Sequence, residues 1–179
     1  MGYTTDFSGS FTCTPALNET QVAYLKKFAE TRRMDRDPVI AATLPDPERE
    51  AVGLPVGEGG EFFVGGRGSY GQDKDQSIRN YNNPATSQPG LWCQWIPTED
   101  GTSIGWDEGE KFYSYIEWIK YINEKFLKPW GIVLNGSVTW SGEDSGDTGV
   151  IVAKDGKIRY REFESQKYTF EDCNESTED

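Results

Sequence analysis

Apolar side chains recur along this chain with two different periods, and the change of period marks the elements. From Phe112 they fall at Phe112, Tyr115, Ile116, Ile119, Ile122 and Phe126, the spacing of one helical face. Asp107 stands as the N-cap of that helix and Glu110 as its capping-box partner. Pro129 and Gly131 close it. Glu124 and Lys128 form an i, i+4 ion pair on its surface. The opposite face reads Glu110, Tyr113, Glu117, Tyr121 and Glu124, either a solvated face or the lining of a polar pocket.

A period of two governs the N-terminus. Tyr3, Thr5, Phe7, Gly9 and Phe11 alternate with mostly polar neighbours over residues 2–13, the mark of a half-buried strand, with Gly9 at a bend or bulge. Pro15, Asn18 and Gln21 then introduce a first helix to about Arg33, facing inward through Val22, Leu25, Phe28 and Ala29. Arg32 and Arg33 either complement the dipole at its end or clamp a phosphate or carboxylate.

Residues 34–90 change character. Six prolines (Pro38, Pro45, Pro47, Pro55, Pro84, Pro89) and many glycines predict a long surface excursion, with one short strand, Glu61–Val64, embedded in it. The run Gly66-Arg67-Gly68-Ser69-Tyr70-Gly71 matches G-x-G-x-x-G in form. No helical pattern follows it, so it reads as a turn and not as a dinucleotide fingerprint.

Beyond the excursion, Leu91–Ile96 predicts a strand and Ile104–Trp106 its hairpin partner across Thr98–Gly101. Alternation places Cys93 and Trp95 on one face, toward the core, and Trp92 with Gln94 on the other. Ile132–Leu134 and Val138–Trp140 give one or two strands around Asn135-Gly136. Val150–Ala153 and Ile158–Tyr160 flank Asp155-Gly156, a strong hairpin signal.

The order is strand, helix, excursion, two strands, helix and about three strands. It predicts an α+β fold: an antiparallel sheet with two helices on one face, topology β-α-β-β-α-β plus a C-terminal hairpin. A single domain is expected over residues 1–163, with the excursion at about 34–90. Residues 164–179 are expected to be an acidic, disordered tail.

Composition narrows the chemistry. The 179 residues contain no histidine, which removes Ser-His-Asp and Cys-His catalysis and the usual histidine zinc sites. Three separated cysteines define neither a disulfide framework nor a metal site. No apolar run approaches membrane-spanning length and no leader pattern opens the chain, so a cytoplasmic location and no membrane partner are expected. Net charge is −12. Residues 162–179 carry seven acids against Lys167, or −6 of that total. A broad basic surface for nucleic acid is therefore not expected. Five acids between Glu99 and Glu110 suit either a divalent cation or turn and cap chemistry; the second is the reading adopted, and no metal or cofactor is expected. The acidic turn Gly142–Asp147 lacks the spacing of a calcium loop.

Three stretches carry a resemblance: Gly2-Tyr3-Thr4-Thr5 with Gly9-Ser10-Phe11; Glu30-Thr31-Arg32-Arg33-Met34; and Gln88-Pro89-Gly90-Leu91-Trp92-Cys93-Gln94-Trp95 through Glu110-Lys111-Phe112-Tyr113 to Gly142-Glu143-Asp144. In these the chain resembles an uncharacterised family of small acidic phage and bacterial proteins. The resemblance implies a phage-encoded accessory protein acting on a host process such as defence, by binding a host protein or sequestering a signalling nucleotide. The competing expectation is a carboxylate- or metal-dependent enzyme on nucleotides or glycans. The residues expected to bind a ligand or partner are Trp92, Gln94, Tyr113, Glu117 and Arg33; no catalytic residue is assigned.

Overall fold

The computed structural model describes residues 2–164 and 167–172. The fold is α+β and antiparallel, as the sequence predicts. The single domain expected over 1–163 divides into two compact units, Met1–Leu17 with Gln94–Asp179, and Asn18–Cys93.

The first unit holds strands β1 (Thr5–Thr14), β4 (Trp95–Pro97), β5 (Ser103–Trp106), β6 (Val133–Gly142), β7 (Thr148–Lys154), β8 (Lys157–Glu164) and β9 (Lys167–Asp172). They form a seven-stranded antiparallel sheet in the order β4-β5-β1-β6-β7-β8-β9. β1 and β6 pair along their full length, Thr5 opposite Gly142 and Thr14 opposite Val133. Gly9 stays in register opposite Val138, with neither bulge nor break; its φ is +104°, and a Cβ there would lie 2.6 Å from the Ser137 carbonyl oxygen. Asp155 and Gly156 turn β7 into β8 with φ of 51° and 80°, the left-handed pair that a two-residue hairpin needs. β9 occupies part of the expected disordered tail and pairs with β8 from Arg159–Asp172 to Glu164–Lys167. Residues 165–166 and 173–179 of that tail lie outside the described residues.

The long helix starts later than its apolar pattern. It is α4, Tyr115–Ile122, extended by a π-helical turn over Asn123–Leu127. Ser114 precedes it with φ 57° and makes no side-chain cap, so Asp107 and Glu110 do not form the expected capping box. Asp107 instead accepts from the Gly109 N–H at 2.8 Å. Phe112 is buried from the loop and not from a helix. Tyr121, expected on the polar face, is buried against Trp118 with ring centroids 5.4 Å apart. The Glu124–Lys128 pair forms at 2.9 Å on the surface.

Aromatic rings fill the covered face of the sheet. Phe7 sits 4.9 Å from Tyr115, 5.2 Å from Trp106, 5.4 Å from Trp95 and 5.7 Å from Phe112, mostly edge-to-face as ring quadrupoles prefer. The other face carries Ser8, Ser10, Thr12, Ser137, Thr139 and Ser141, all exposed, the ordinary outcome for a one-sided antiparallel sheet.

The second unit holds the excursion, which is not structureless. It contains α1 (Glu19–Ala29), β2 (Met34–Arg36), α2 (Pro38–Ala41), α3 (Pro47–Ala51) and β3 (Ile78–Pro84), with β2 and β3 paired antiparallel. Glu61–Val64 is a turn and not a strand, although Phe63 and Val64 are buried. α1 therefore lies in a different unit from α4, and the two are not a pair within one sheet domain.

Three buried arginines explain how so irregular a segment becomes compact. Arg33 Nη2 donates to the carbonyls of Glu61 and Phe63, both at 2.8 Å, with its guanidinium 4.2 Å over the Phe28 ring. Arg36 Nη1 donates to Asp75 at 3.1 Å and to Ser77 Oγ at 2.8 Å, over the Phe63 ring. Arg49 donates from Nε to Asp46 at 2.6 Å and from Nη1 to the Leu54 carbonyl at 2.7 Å. A planar fork of donors can serve several loop carbonyls at once, which apolar side chains cannot do.

α1 is the element the sequence defines most fully. Asn18 Oδ1 accepts from the Gln21 N–H and Gln21 Oε1 from the Asn18 N–H, both at 2.9 Å, a complete capping box. Asn18→Ala is expected to cost about 1 kcal/mol, read as a fall in melting temperature of about 2–4 °C.

Candidate functional site

The glycine-rich turn and the backbone just past α1 build the surface most suited to a ligand. Residues 67–73 close on themselves, with the Asp73 N–H donating to the Arg67 carbonyl at 2.9 Å and Gly71 N–H to the Gly68 carbonyl at 3.1 Å. A short 3-10 turn, Ser69–Gly71, stands where a dinucleotide fold would start a helix. Gly71 packs on Thr31 so closely that a Cβ would lie 3.0 Å from Thr31 Cγ2. The adjacent Arg32 N–H donates to the Tyr70 carbonyl at 3.1 Å, and the Arg33 N–H to the Leu91 carbonyl at 2.8 Å. Residues 31–33 thus bring Tyr70 from one side and Trp92 from the other.

Tyr70 is unusual in two respects. Its φ is 55°, a left-handed conformation that costs a bulky L-residue on the order of 1 kcal/mol or more. Its side chain is 65% exposed, so burial does not offset that cost. The ring meets the half-buried Trp92 edge-on, centroids 6.2 Å apart and planes at 88°.

Three cations lie elsewhere on the same unit, two of them over the Tyr81 ring. The Arg32 guanidinium lies 4.3 Å over the Tyr81 ring and its Nε donates to the Tyr81 carbonyl at 3.1 Å. Lys74 Nζ is 5.2 Å from the same ring centroid. Arg67 and Lys74 line a cleft of about 210 Å³ with Leu44, Pro45, Asp73 and Asp75. Among the described residues, Arg32, Arg67 and Lys74 form no ion pair. Asp75 is neutralised by Arg36. Burial raises its pKa, but hydrogen bonds from Ser77 and Arg36 outweigh that and hold the carboxyl below its ordinary value.

The five residues singled out from sequence divide between the units. Trp92 lies in this surface. Arg33 lies beneath it, 2% exposed and turned inward to carbonyls, not outward to a phosphate. Gln94, Tyr113 and Glu117 belong to the other unit. Gln94 donates to the Glu110 carbonyl at 2.8 Å and accepts from Trp106 Nε1 at 3.2 Å. The Tyr113 hydroxyl accepts from the Tyr3 N–H at 3.1 Å, and Glu117 is exposed on α4. Cys93 and Trp95 are each 1% exposed, on the buried side where strand alternation puts them. The regular strand, however, covers only Trp95–Pro97 of the expected Leu91–Ile96. Tyr70, Tyr81, Lys74 and Arg67 were not legible as site residues; a large aromatic flanked by glycines in Gly68-Ser69-Tyr70-Gly71 is the one local signal.

The acidic clusters hold turns together. Asp100 Oδ1 accepts from Thr98 Oγ1 and Thr102 Oγ1 at 2.8 Å and from the Thr102 N–H at 3.1 Å, and those bonds lower its pKa. Asp147 accepts from the Tyr3 hydroxyl at 2.7 Å and from Trp140 Nε1 at 3.0 Å, pinning the N-terminal strand to the β6–β7 turn. Among the described residues no group of three or more Asp, Glu or Cys is arranged to hold a metal ion. Burial pushes the Cys13 thiol up to about 11, which leaves it inert as a nucleophile. No helix among them is long and apolar enough to cross a membrane.

No protein-family model, curated protein or solved structure matches the chain.

Proposed function

We propose that the chain is a non-enzymatic binding protein that captures its partner on the Tyr70–Trp92 surface of the 18–93 unit. One observation carries this reading: an aromatic ring held exposed in a strained backbone conformation, on a unit where Arg32, Arg67 and Lys74 form no ion pair among the described residues. Strain of that kind persists where surrounding structure over-determines it, and such positions cluster at ligand clamps. The resemblance to phage proteins supplies the context: a phage-encoded inhibitor of a host process, its partner a host protein or a small nucleotide. The carboxylate-enzyme reading is weaker because Asp100 and Asp107 spend oxygens on turn hydrogen bonds.

The experiment is mass spectrometry of protein purified from cells that express it, first native and then denatured, for the wild type and for Tyr70→Gly. An added mass that denaturation releases, and that the variant has lost, is the expected result. An added mass retained undiminished by Tyr70→Gly, or Mg²⁺-dependent turnover of a nucleotide or glycan, overturns the reading.

A further inference from the structure

The ligand class follows from what the surface offers. An exposed aromatic face accepts a flat π-system, and every nucleobase has one. Trp92 stands at right angles to the Tyr70 ring, centroids 6.2 Å apart, a second aromatic surface close to a base that lies on the open part of Tyr70. The cations are not spread around this ring. Arg67 and Lys74 line one cleft, and Lys74 and Arg32 share the Tyr81 ring. They suit a ligand whose negative charge is concentrated at one end.

The size of the cleft fits the same division. About 210 Å³ is below the usual range for enclosing a whole drug-sized molecule. It has room for a phosphate-bearing end while the flat end lies outside on Tyr70. With Asp75 engaged by Arg36, Asp73 is left in the lining as an acceptor, the role a carboxylate plays toward ribose hydroxyls. An acidic peptide would call instead for an extended groove, whereas Tyr70 and the residues that line the cleft belong to turns and loops.

We propose that this surface binds a ribonucleotide: the base stacks on Tyr70 against Trp92, and the phosphates lie in the cleft at Arg67 and Lys74 with Arg32 beside them. This rests on the binding-protein reading above and names its ligand.

Calorimetric titration of the full chain with ATP, adenosine and inorganic pyrophosphate tests it. ATP is expected to bind more tightly than either fragment. Tyr70→Gly is expected to weaken ATP by about 10- to 100-fold and adenosine likewise, while pyrophosphate is unchanged. Arg67→Gln with Lys74→Gln is expected to weaken ATP and pyrophosphate and to flatten the salt dependence, with adenosine unchanged. Glycine tolerates the positive φ that tyrosine occupies at a cost, so Tyr70→Gly should melt no lower than the wild type; a thermal melt verifies that lost binding is not lost fold. The proposal is overturned if ATP, GTP, CTP and UTP all fail to bind at millimolar concentration, or if Tyr70→Gly binds ATP as the wild type does. Should nucleotides fail while a cellular partner is still released from the wild type and lost from Tyr70→Gly, the ligand class falls and the binding reading stands. If neither responds to Tyr70→Gly, both fall.

Discussion

Arg49→Met is expected to destabilise the protein by about 3–5 kcal/mol, because it strands a buried carboxylate. The Asp46 side chain is fully inaccessible and Arg49 is 9% exposed. Asp46 also accepts from the Val64 N–H at 3.2 Å, so one carboxylate ties α3 to the turn around Phe63. Methionine keeps most of the arginine's volume and none of its charge, which isolates the electrostatic loss from a packing loss. Changing both partners, Asp46→Leu with Arg49→Met, is expected to recover most of the deficit, since no buried charge then remains. The double change also takes the acceptor from the Val64 N–H and leaves the Leu54 carbonyl without its Arg49 donor, so recovery should stop short by about 1–2 kcal/mol. Urea denaturation followed by tryptophan fluorescence measures all three proteins. A single variant as stable as the wild type would show that the pair is hydrated in solution.

The same site predicts an inverted pH response. Burial raises the Asp46 pKa even against the pull of Arg49. A carboxyl whose folded pKa lies above its unfolded value binds more protons folded than unfolded in the interval between them. Its contribution is therefore full below the unfolded pKa, about 3.9, and is lost as pH rises through the folded value. Removing Arg49 takes away the group that favours the charged form. The deficit of Arg49→Met should thus be largest at neutral pH and shrink as acid neutralises Asp46.

How far the sequence reveals this protein depends on the range of the interactions that make each part. The start of α1 rests on residues three apart, Asn18 and Gln21, and the pattern predicts it, though the helix ends at Ala29 and not near Arg33. The β7–β8 hairpin rests on Asp155-Gly156 and is equally plain. Phe112 shows where local reading misleads. It continues the helical spacing, yet Ser114 adopts a left-handed conformation between it and α4, and Phe112 is buried from a loop by the rings of Phe7 and Trp95. The 18–93 unit is harder because its stabilising contacts have no period. Arg33 reaches carbonyls 28 and 30 residues away, and Arg36 reaches side chains 39 and 41 away. A chain rich in proline and glycine reads as excursion until those guanidinium groups are placed. The candidate site shares that difficulty: Trp92 stands out on composition, but its neighbour Tyr70 arrives through a backbone bond from Arg32, while Arg33 bonds to Leu91.

Ile119→Asp should be more damaging than the broken ion pair, at more than about 4 kcal/mol, because nothing near it can compensate the new charge. Ile119 has no accessible surface, and Trp118, Ile122, Phe126 and Leu127 around it in sequence are equally buried. α4 covers the aromatic face of the sheet, so an aspartate there removes apolar contact and places a carboxylate among rings. The nearest base along the helix, Lys120, is half-exposed and projects about 100° away around the helix axis. Glu117→Ala, two residues earlier on the exposed face, serves as the control and should change stability by no more than about 0.5 kcal/mol. Chemical denaturation and the soluble yield of both variants read the contrast directly. If Ile119→Asp stays soluble and melts within a few degrees of the wild type, α4 presents a different face to the sheet, and the aromatic cluster centred on Phe7 is not the core of its unit.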